Sequence, residues 1–340
     1  MNTSSFSYGS DASGLVWGFL FGTGAGPAMP INSEAALAWL KDSAGAQPGQ
    51  FVWLHFNLSN AANEKWLKSH LQLADEFYES LHQGSRSTRI EIADNTLIGV
   101  INDVLHDFSF EASDISTLWL NVAPRLVVSA RRTPLQSIER LRQAVTHGES
   151  IPTSVGLLNH LLRDQADVLV AIVRKAVEHV DNIEDTLLAG RLAHKREDLG
   201  AMRRVLVRLQ RLLAPEPASV FRLLQRPPAW MTELDTQELR QSTEEFSVVL
   251  SDMSSLKERI KLLQEEIAAR VNEENGRSLF VLTIVTVMAL PINLIAGLFG
   301  MNVGGIPLAQ NGAGFWIVLG VVAAITGAAG FALARLRMKT

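Results

Sequence analysis

The 340-residue chain contains no cysteine, so it can form neither a disulfide nor a thiolate zinc site. It also lacks an HExxH zinc motif, a phosphate-binding glycine loop and a nucleophile–base motif, so we expect no enzyme chemistry. The first 14 residues have no basic stretch followed by an apolar core, and we expect no signal peptide. The largest absence is one of charge: the 57 residues 278–334 contain no Asp, Glu, Lys or Arg.

Two long apolar runs fill this uncharged stretch, at residues 279–299 and 315–334. At about 1.5 Å per residue, a helix over either run covers the roughly 30 Å hydrocarbon core of a bilayer. We therefore predict two membrane spans within residues 278–334, joined by an outer loop at 300–314. The second span is rich in glycine and alanine and has no polar stripe, so we assign it to an outer ring that faces lipid.

Basic residues flank the two spans on one side only. Arg270 and Arg277 precede the first span, and Arg335, Arg337 and Lys339 follow the second. Because cytoplasmic flanks favour Lys and Arg, both termini are predicted to be cytoplasmic and residues 335–340 to form a basic tail. Removing the three tail residues from the net charge of −4 leaves −7 for residues 1–277, which suits cation handling and argues against nucleic acid as a partner.

Upstream of the spans, alternating strands and helices give way to helices alone. Strands are predicted at 15–21, 51–58, 90–92, 96–101, 118–122 and 126–130, and helices at 33–41 and 60–82, with Ser33 and Asn60 as N-caps. We expect residues 1–14 to be flexible, 15–150 to form an α/β domain and 151–277 to form a helical funnel and stalk. Pro134 is placed in the first turn of a helix that ends near Thr146. Further helices are predicted at 155–188 and 194–213, with a short helix or turn at the prolines that follow.

The longest predicted element connects the soluble region to the membrane. Apolar residues recur at steps of three and four from Phe246 to Ile267, a heptad pattern typical of a long helix packed along its neighbours. If Gly276 and Pro291 are tolerated, one helix runs from about Thr236 to Phe299. The predicted fold class is an α+β membrane protein with an N-terminal α/β cytoplasmic domain, a long helical stalk and two C-terminal transmembrane helices per subunit.

The segment that closes the first span carries a family resemblance. Gly300, Met301 and Asn302, placed between two terminal spans, resemble the signature of the CorA superfamily of divalent-cation channels and transporters. The continuation through Val303-Gly304-Gly305-Ile306-Pro307, with Phe315-Trp316 opening the second span, is similar to the zinc-transporting ZntB branch. The resemblance extends loosely upstream through Arg131-Arg132-Thr133-Pro134-Leu135.

The resemblance implies a CorA-like funnel, a homopentamer in the bacterial inner membrane and uptake of Zn²⁺, with coupling to protons as an option. It implies no cofactor; Mg²⁺, Co²⁺, Cd²⁺ and Ni²⁺ are the other ions that such a protein would transport. It also implies that Gly300, Met301 and Asn302 form the selectivity filter. The uncharged loop departs from many CorA relatives, whose loop carries acidic residues, so strong electrostatic capture of cations is not expected here.

Two helices cannot enclose a hydrophilic path, so a pore requires several copies around an axis. The first span offers a stripe at steps of three and four that mixes two polar side chains with large apolar ones. The predicted pore-lining residues are Leu279, Leu282, Thr286, Leu290, Asn293 and Gly297. The alternative is that Thr286 and Asn293 only join helices by hydrogen bonds. Likewise, Asn302 is predicted to hold a hydrated ion by its amide oxygen, or only to cap the helix.

Two clusters in the soluble region have the composition of metal sites. His160, Asp164 and Asp167 share one helix face, as do Glu178, Asp181 and Asp185, with His179 adjacent. The alternative is an ordinary solvated or subunit-facing surface. For the whole chain, the alternatives to zinc uptake are a Mg²⁺/Co²⁺ channel of the classical CorA type and a membrane-anchored oligomeric sensor without flux.

Overall fold

The computed structural model describes residues 10–22, 27–42, 47, 49–83, 88–111, 113–189, 195–301, 306–307 and 311–337. It divides into two units, Met1–Gln264 and Glu265–Thr340. The first unit contains the whole β-sheet, and the second contains both apolar segments. This division lies inside the predicted stalk rather than at the predicted boundaries of 150 and 277, which stay predictions.

Seven strands form one mixed sheet in the first unit. They are β1 (Leu15–Phe21), β2 (Met29–Pro30), β3 (Phe51–Asn57), β4 (Arg89–Ala93), β5 (Thr96–Val104), β6 (Ile115–Val122) and β7 (Leu126–Arg131). Their order is β2-β1-β3-β7-β6-β5-β4, and β3 and β7 form the parallel pair. The six predicted strands are confirmed, with ends that differ by at most three residues. The two-residue β2 was not predicted, since a strand this short shows no periodicity.

Nine helices are described along the chain. They are α1 (Ser33–Lys41), α2 (Asn63–His70), α3 (Asp75–Gln83), α4 (Gln136–Thr146), α5 (Ser154–Leu188), α6 (Lys195–Leu213), α7 (Pro215–Gln225), α8 (Glu233–Phe299) and α9 (Gly314–Arg337). Apolar residues of α1 to α3 pack in one core cluster on the sheet, and those of α4, α5 and α7 pack in another. Strand β3 supplies both clusters: Phe51 and Trp53 belong to one, and Val52 and Leu54 to the other. A strand buried on both faces reads as a continuous apolar run, which is why β3 was readily predicted.

The predicted helix 60–82 is wrong, because the chain forms two helices there. Between α2 and α3 the backbone becomes extended at Leu71, and the side chains of Leu71 and Ala74 are buried in the core. Burial of these two apolar groups outweighs the helical propensity of the segment. The Asn60 side chain accepts from the backbone N–H of Ala62 at 3.0 Å, in a turn that precedes α2.

The predicted cap at the start of α1 is also wrong, by one residue. Asn32 is the N-cap, and its side-chain oxygen accepts a hydrogen bond from the backbone N–H of Ala35 at 2.8 Å. Ser33 is the first residue of the helix itself. Because Asn and Ser are similarly good caps, sequence alone does not decide between two adjacent ones.

Helix α8 confirms the predicted continuous helix. It spans 67 residues, about 100 Å, and passes through Gly276 and Pro291 without ending. It begins with a reciprocal capping pair: the N–H of Asp235 donates to the Thr232 hydroxyl oxygen and the N–H of Thr232 donates to the Asp235 carboxylate, both at 3.0 Å. The heptad residues are all buried: Phe246, Val249, Met253, Leu256, Ile260, Leu263 and Ile267.

Candidate ion pathway and charge clusters of the first unit

The predicted pore stripe lies on one exposed face of the membrane half of α8. In the single chain, all six members are exposed, and Leu279, Leu282 and Leu290 keep 63%, 61% and 65% of their surface. None of the most apolar window of this helix is buried. Helices α8 and α9 are both long and apolar enough to cross a membrane. The side chains of this stripe are therefore not covered by any described part of the same subunit.

A second face of the same helix is shielded. The partly buried residues between 279 and 299 include Ile284, Met288, Pro291 and Ile295, which recur at steps of four, three and four. Met288 lies against α9, since a Cβ added at Gly330 would be 3.7 Å from its terminal methyl carbon. At 3.6 residues per turn, this face and the pore stripe are about half a turn apart. The stripe thus points away from the second span.

The two polar side chains of the stripe differ in their hydrogen bonds. The Thr286 hydroxyl donates to the backbone carbonyl of Leu282 at 2.9 Å, which satisfies its proton within the helix. Its oxygen lone pairs remain to accept hydrogen bonds from water. Asn293 makes no hydrogen bond to any residue that the structure describes. Both groups can therefore accept from the hydration shell of a cation.

The turn after the first span is described only at its beginning and end. Gly300 continues the helical pattern, with its N–H donating to the carbonyl of Ala296 at 2.9 Å. A Cβ at Gly300 would lie 3.0 Å from that same oxygen, so a side chain would crowd the helix end. Met301 is 47% exposed, and Asn302, the predicted ion-binding residue, lies outside the described residues. At the other end, the Asn311 side chain accepts from the N–H of Ala313 at 3.0 Å, just before α9.

The first predicted metal cluster, around His160, forms a series of ion pairs in the single chain. His160 lies between two carboxylates, with Nδ1 3.1 Å from Asp164 and Nε2 2.9 Å from Glu149. The hydrogen bond to Asp164, and the negative charge of both carboxylates, raise the pKa of His160. Asp167 is exposed and does not join this series. A histidine with both ring nitrogens engaged has none left for a metal.

The second predicted cluster is also divided. Asp181 pairs with Arg259 at 2.7 Å, and Glu184, which the sequence did not single out, pairs with the same guanidinium. Glu178, His179 and Asp185 are exposed. Among the described residues, no three His, Asp or Glu side chains converge on a point where a metal ion would fit. Within one chain, neither predicted cytoplasmic site is assembled, and a site between subunits stays a prediction.

Buried titratable groups that sequence reasoning missed lie between β5, α5 and α7. Burial raises the pKa of Asp103 to about 6 although its carboxylate accepts from the N–H and hydroxyl of Ser137. Burial and the nearby Asp103 charge raise the pKa of Glu216 to about 8, and the Gln165 amide donates to it at 3.2 Å. No sequence pattern marks them, because Asp103 is the last residue but one of strand β5 and Glu216 follows a proline that is typical of a helix break.

A buried histidine and arginine form a separate network in the sheet. Arg131 donates to Nε2 of His55 at 3.0 Å, and Nδ1 of His55 lies 2.7 Å from the Ser129 hydroxyl. Burial, together with the positive charge of Arg131, lowers the pKa of His55 well below its usual value. His55 is therefore neutral, accepts from Arg131 and donates to Ser129. This network links the neighbouring strands β3 and β7.

An α/β unit followed by two uncharged apolar helices, the first continuous with a long heptad helix, defines a membrane protein. The chain belongs to the family described as CorA-like Mg²⁺ transporter protein, whose model matches residues 48–335. The resemblance carried by Gly300, Met301 and Asn302 is thereby confirmed. This is a family of membrane transporters for divalent cations, and the expectation that the chain is not an enzyme is confirmed with it.

Named relatives cover nearly the whole chain. The divalent cation transporter CmaX of Pseudomonas aeruginosa is 27% identical over 313 residues, which are 90% of this chain and 91% of that protein. The zinc transport protein ZntB of Yersinia pseudotuberculosis is 24% identical over 295 residues, covering 85% of this chain and 88% of that protein. Proteins of the predicted branch are thus among the relatives.

Solved structures confirm the predicted fold class. The full-length CmaX structure aligns with a TM-score of 0.80 at 24% identity and covers 96% of this chain and 99% of its own. The complete CorA magnesium transporter of Methanocaldococcus jannaschii aligns with a TM-score of 0.72 at 17% identity and covers 92% and 96%. At these identities the likeness concerns the fold alone.

Proposed function

We propose that the chain forms a homo-oligomer in the inner membrane that takes up a divalent cation, preferentially Zn²⁺, through a central pore lined by the first span. The observation that carries the proposal is the opposition of two faces on one helix. One face packs against the second span, and the other exposes the side chains of Thr286 and Asn293, which contact no other described helix. Because the face that contains Met288 packs against the second span, the face that contains Thr286 and Asn293 remains available to line a central axis in an oligomer.

The cation would pass with its water shell intact. Residues 278–334 contain no Cys, His, Asp or Glu, so the usual protein ligands of bare Zn²⁺ are missing from the membrane segment. The Thr286 and Asn293 oxygens would accept hydrogen bonds from ion-bound water, and rings of Leu279, Leu282 and Leu290 would form constrictions that gate by dewetting. An Asn302 ring at the outer mouth would hold the hydrated ion by its amide oxygens.

Protons, if they accompany the cation, require a route other than membrane-embedded side chains. With no titratable group in residues 278–334, the carrier must be water in the pore or groups in the cytoplasmic unit. The basic flanks Arg270, Arg277 and Arg335 favour cytoplasmic termini, which puts those groups at the inner end of the path. In this scheme an inward proton gradient increases Zn²⁺ uptake.

The second candidate is a Mg²⁺ channel of the CorA type. It is favoured by the family description, which names Mg²⁺, and by the fold shared with the archaeal magnesium transporter. Because the pore stripe has only uncharged oxygens, it would contact either Zn²⁺ or Mg²⁺ by hydrogen bonds to the water bound to the ion. The cargo therefore has to be decided by flux.

The test is metal uptake by the purified protein in liposomes that contain a Zn²⁺- or Mg²⁺-sensitive dye, with and without a pH step. We expect Zn²⁺ to enter faster than Mg²⁺ and Asn302→Ala to reduce uptake at least about tenfold, equivalent to about 1.4 kcal/mol. Asn311→Ser is the matched control, since the serine hydroxyl can accept from the same Ala313 N–H in the turn before α9. Faster Mg²⁺ entry would support the second candidate. No flux of either ion would favour a sensor, and unchanged selectivity and rate in Asn302→Ala would remove the filter role.

A further inference from the structure

A dense group of arginines lies on α6 in the first unit, although the chain as a whole is acidic. Arg203, Arg204, Arg208 and Arg211 line a groove of about 460 Å³ together with Gly200, Val207 and Gln264. Arg204, Arg208 and Arg211 are exposed and follow one another at steps of four and three, so they are neighbours on one helix face. We name these residues the arginine groove.

The charges of this groove are not balanced by the described part of the chain. None of its four guanidinium groups forms an ion pair with a described carboxylate, and Arg203 contacts the amide oxygen of Gln264 at 3.5 Å. Beside the groove, Lys257 on α8 donates to the neutral Gln210 at 2.8 Å. Like charges at this spacing repel one another and destabilise the helix unless an anion is bound.

The shape of the groove also favours a ligand. At Gly200 the groove has no side chain, and a Cβ there would lie 3.7 Å from both Arg204 Nη1 and Gln264 Nε2. The backbone positions of the exposed arginines, from 204 to 211, span about 10 Å along the helix, which is longer than one phosphate group. Planar guanidinium groups bind phosphate oxygens in pairs, and three in a row present donors to a chain of phosphates.

We propose that the arginine groove binds a polyphosphate anion, either inorganic or the phosphate chain of a nucleoside triphosphate. Such anions are the main ligands of free Mg²⁺ where nucleotides are abundant, because Mg²⁺ is commonly bound through phosphates. A bound metal ion neutralises part of the phosphate charge, so the metal-free polyphosphate is the stronger ligand. The groove would then report the level of free divalent cation to a transporter of such cations.

The test is calorimetric titration of the full-length protein in detergent with sodium tripolyphosphate, then with ATP, each with and without excess Mg²⁺. We expect saturable binding near one site per subunit that weakens with Mg²⁺ and with salt. The double variant Arg204→Gln/Arg208→Gln should weaken it at least tenfold, and Gly200→Leu should weaken it by filling the groove without changing charge. The matched control is Arg174→Gln/Arg240→Gln, two exposed arginines on α5 and α8, which should bind as the parent does.

Equal affinity for ATP and tripolyphosphate assigns the site to the phosphate chain, whereas tighter ATP binding assigns part of it to the nucleoside. Absence of binding, or binding that the groove variants leave unchanged, would overturn the proposal. A third result would also overturn the proposal: tripolyphosphate does not bind, and Arg204→Gln/Arg208→Gln lowers the oligomer mass measured by light scattering. The arginine groove would then contact carboxylates of a second copy of the chain. Unchanged circular dichroism of the variants confirms that they are folded.

Discussion

The two halves of α8 follow opposite rules along one continuous backbone. In the half that belongs to the first unit, Met253 and Ile260 are fully buried, and the charged residues are exposed or half-buried except Asp235, which is hydrogen-bonded at the helix start. In the apolar half, Leu279 and Leu290 are more than 60% exposed and no charged residue occurs. Burial of apolar side chains is favourable in water but not in lipid, so the apolar half of α8 is not stabilised by covering its leucines.

The difference teaches where to look for function in each half. In the half surrounded by water, a buried polar group is informative and an exposed charge is ordinary. In the membrane half the order is reversed, and the exposed polar atoms of Thr286 and Asn293 become the features that need a partner. The partner in this account is water in a shared pore. Substitutions on the buried, charged and pore-facing surfaces of the protein can break or sharpen this contrast.

The largest effect is expected for the buried heptad. Met253→Ala removes a fully buried side chain and should lower the free energy of unfolding by about 2–5 kcal/mol. Val248→Ala, on the exposed side of the same helix, should change it by less than about 0.5 kcal/mol. Denaturant unfolding followed by tryptophan fluorescence measures both. Equal effects of the two variants would show that the heptad face is not packed in the assembled protein.

The next effect concerns the buried carboxyl group of Glu216. Its pKa is raised to about 8 from 4.5 in the folded state, so the folded state binds more protons than the unfolded state between these values. Stability contributed by the protonated form is complete below about pH 4.5 and is lost as the pH rises through about 8. Asp103, whose pKa is raised to about 6, adds to the same trend.

Glu216→Gln should therefore flatten the decline and raise Tm at pH 8 by several degrees, with little change at pH 5. Differential scanning fluorimetry at the two pH values measures it. Glu244→Gln, at an exposed site on α8, is the control and should leave the pH dependence unchanged. A parent protein whose Tm is constant from pH 5 to 8 would contradict the assignment.

The smallest effect is expected at the charged surface of the first unit. Arg259 joins Asp181 and Glu184, but it is 42% exposed, and its partners are similarly exposed. Solvent screens such a pair, so Arg259→Gln should cost less than about 1 kcal/mol and the loss should vanish in high salt. Urea unfolding at two salt concentrations tests it. A large, salt-independent loss would mean that this guanidinium is buried between subunits.

Sequence patterns predicted the elements whose period is long and regular. Helix α8, the two apolar helical segments and the doubly buried strand β3 could be predicted because each contains many residues that follow one hydrophobic pattern. The helix break at Leu71 could not be predicted, because it depends on the burial of that side chain in the folded core. The cap at Asn32 could not be predicted either, because the adjacent Ser33 is an equally good cap. Asn302 and the six-residue pore stripe came from family resemblance and spacing, and their roles stay predictions.

The charged groups were the least predictable part. Same-face spacing brought His160 and Asp164 together, but it did not show that Glu149 occupies the other ring nitrogen. Asp103 and Glu216 come together only through tertiary packing. The arginines at 204, 208 and 211 did carry a readable signal, the step of four and three, which was interpreted only as part of a packed helix.

The central claim is that the first span lines a water-filled path, and the lack of cysteine makes a direct measurement possible. Asn293→Cys and Ile325→Cys each introduce one thiol, the first on the pore stripe and the second on the exposed face of α9. Uptake by proteoliposomes is measured before and after a membrane-impermeant, charged thiol reagent. We predict rapid labelling and block of metal flux in Asn293→Cys, with neither in Ile325→Cys. A thiol at position 293 that does not react while the protein conducts metal would contradict the account.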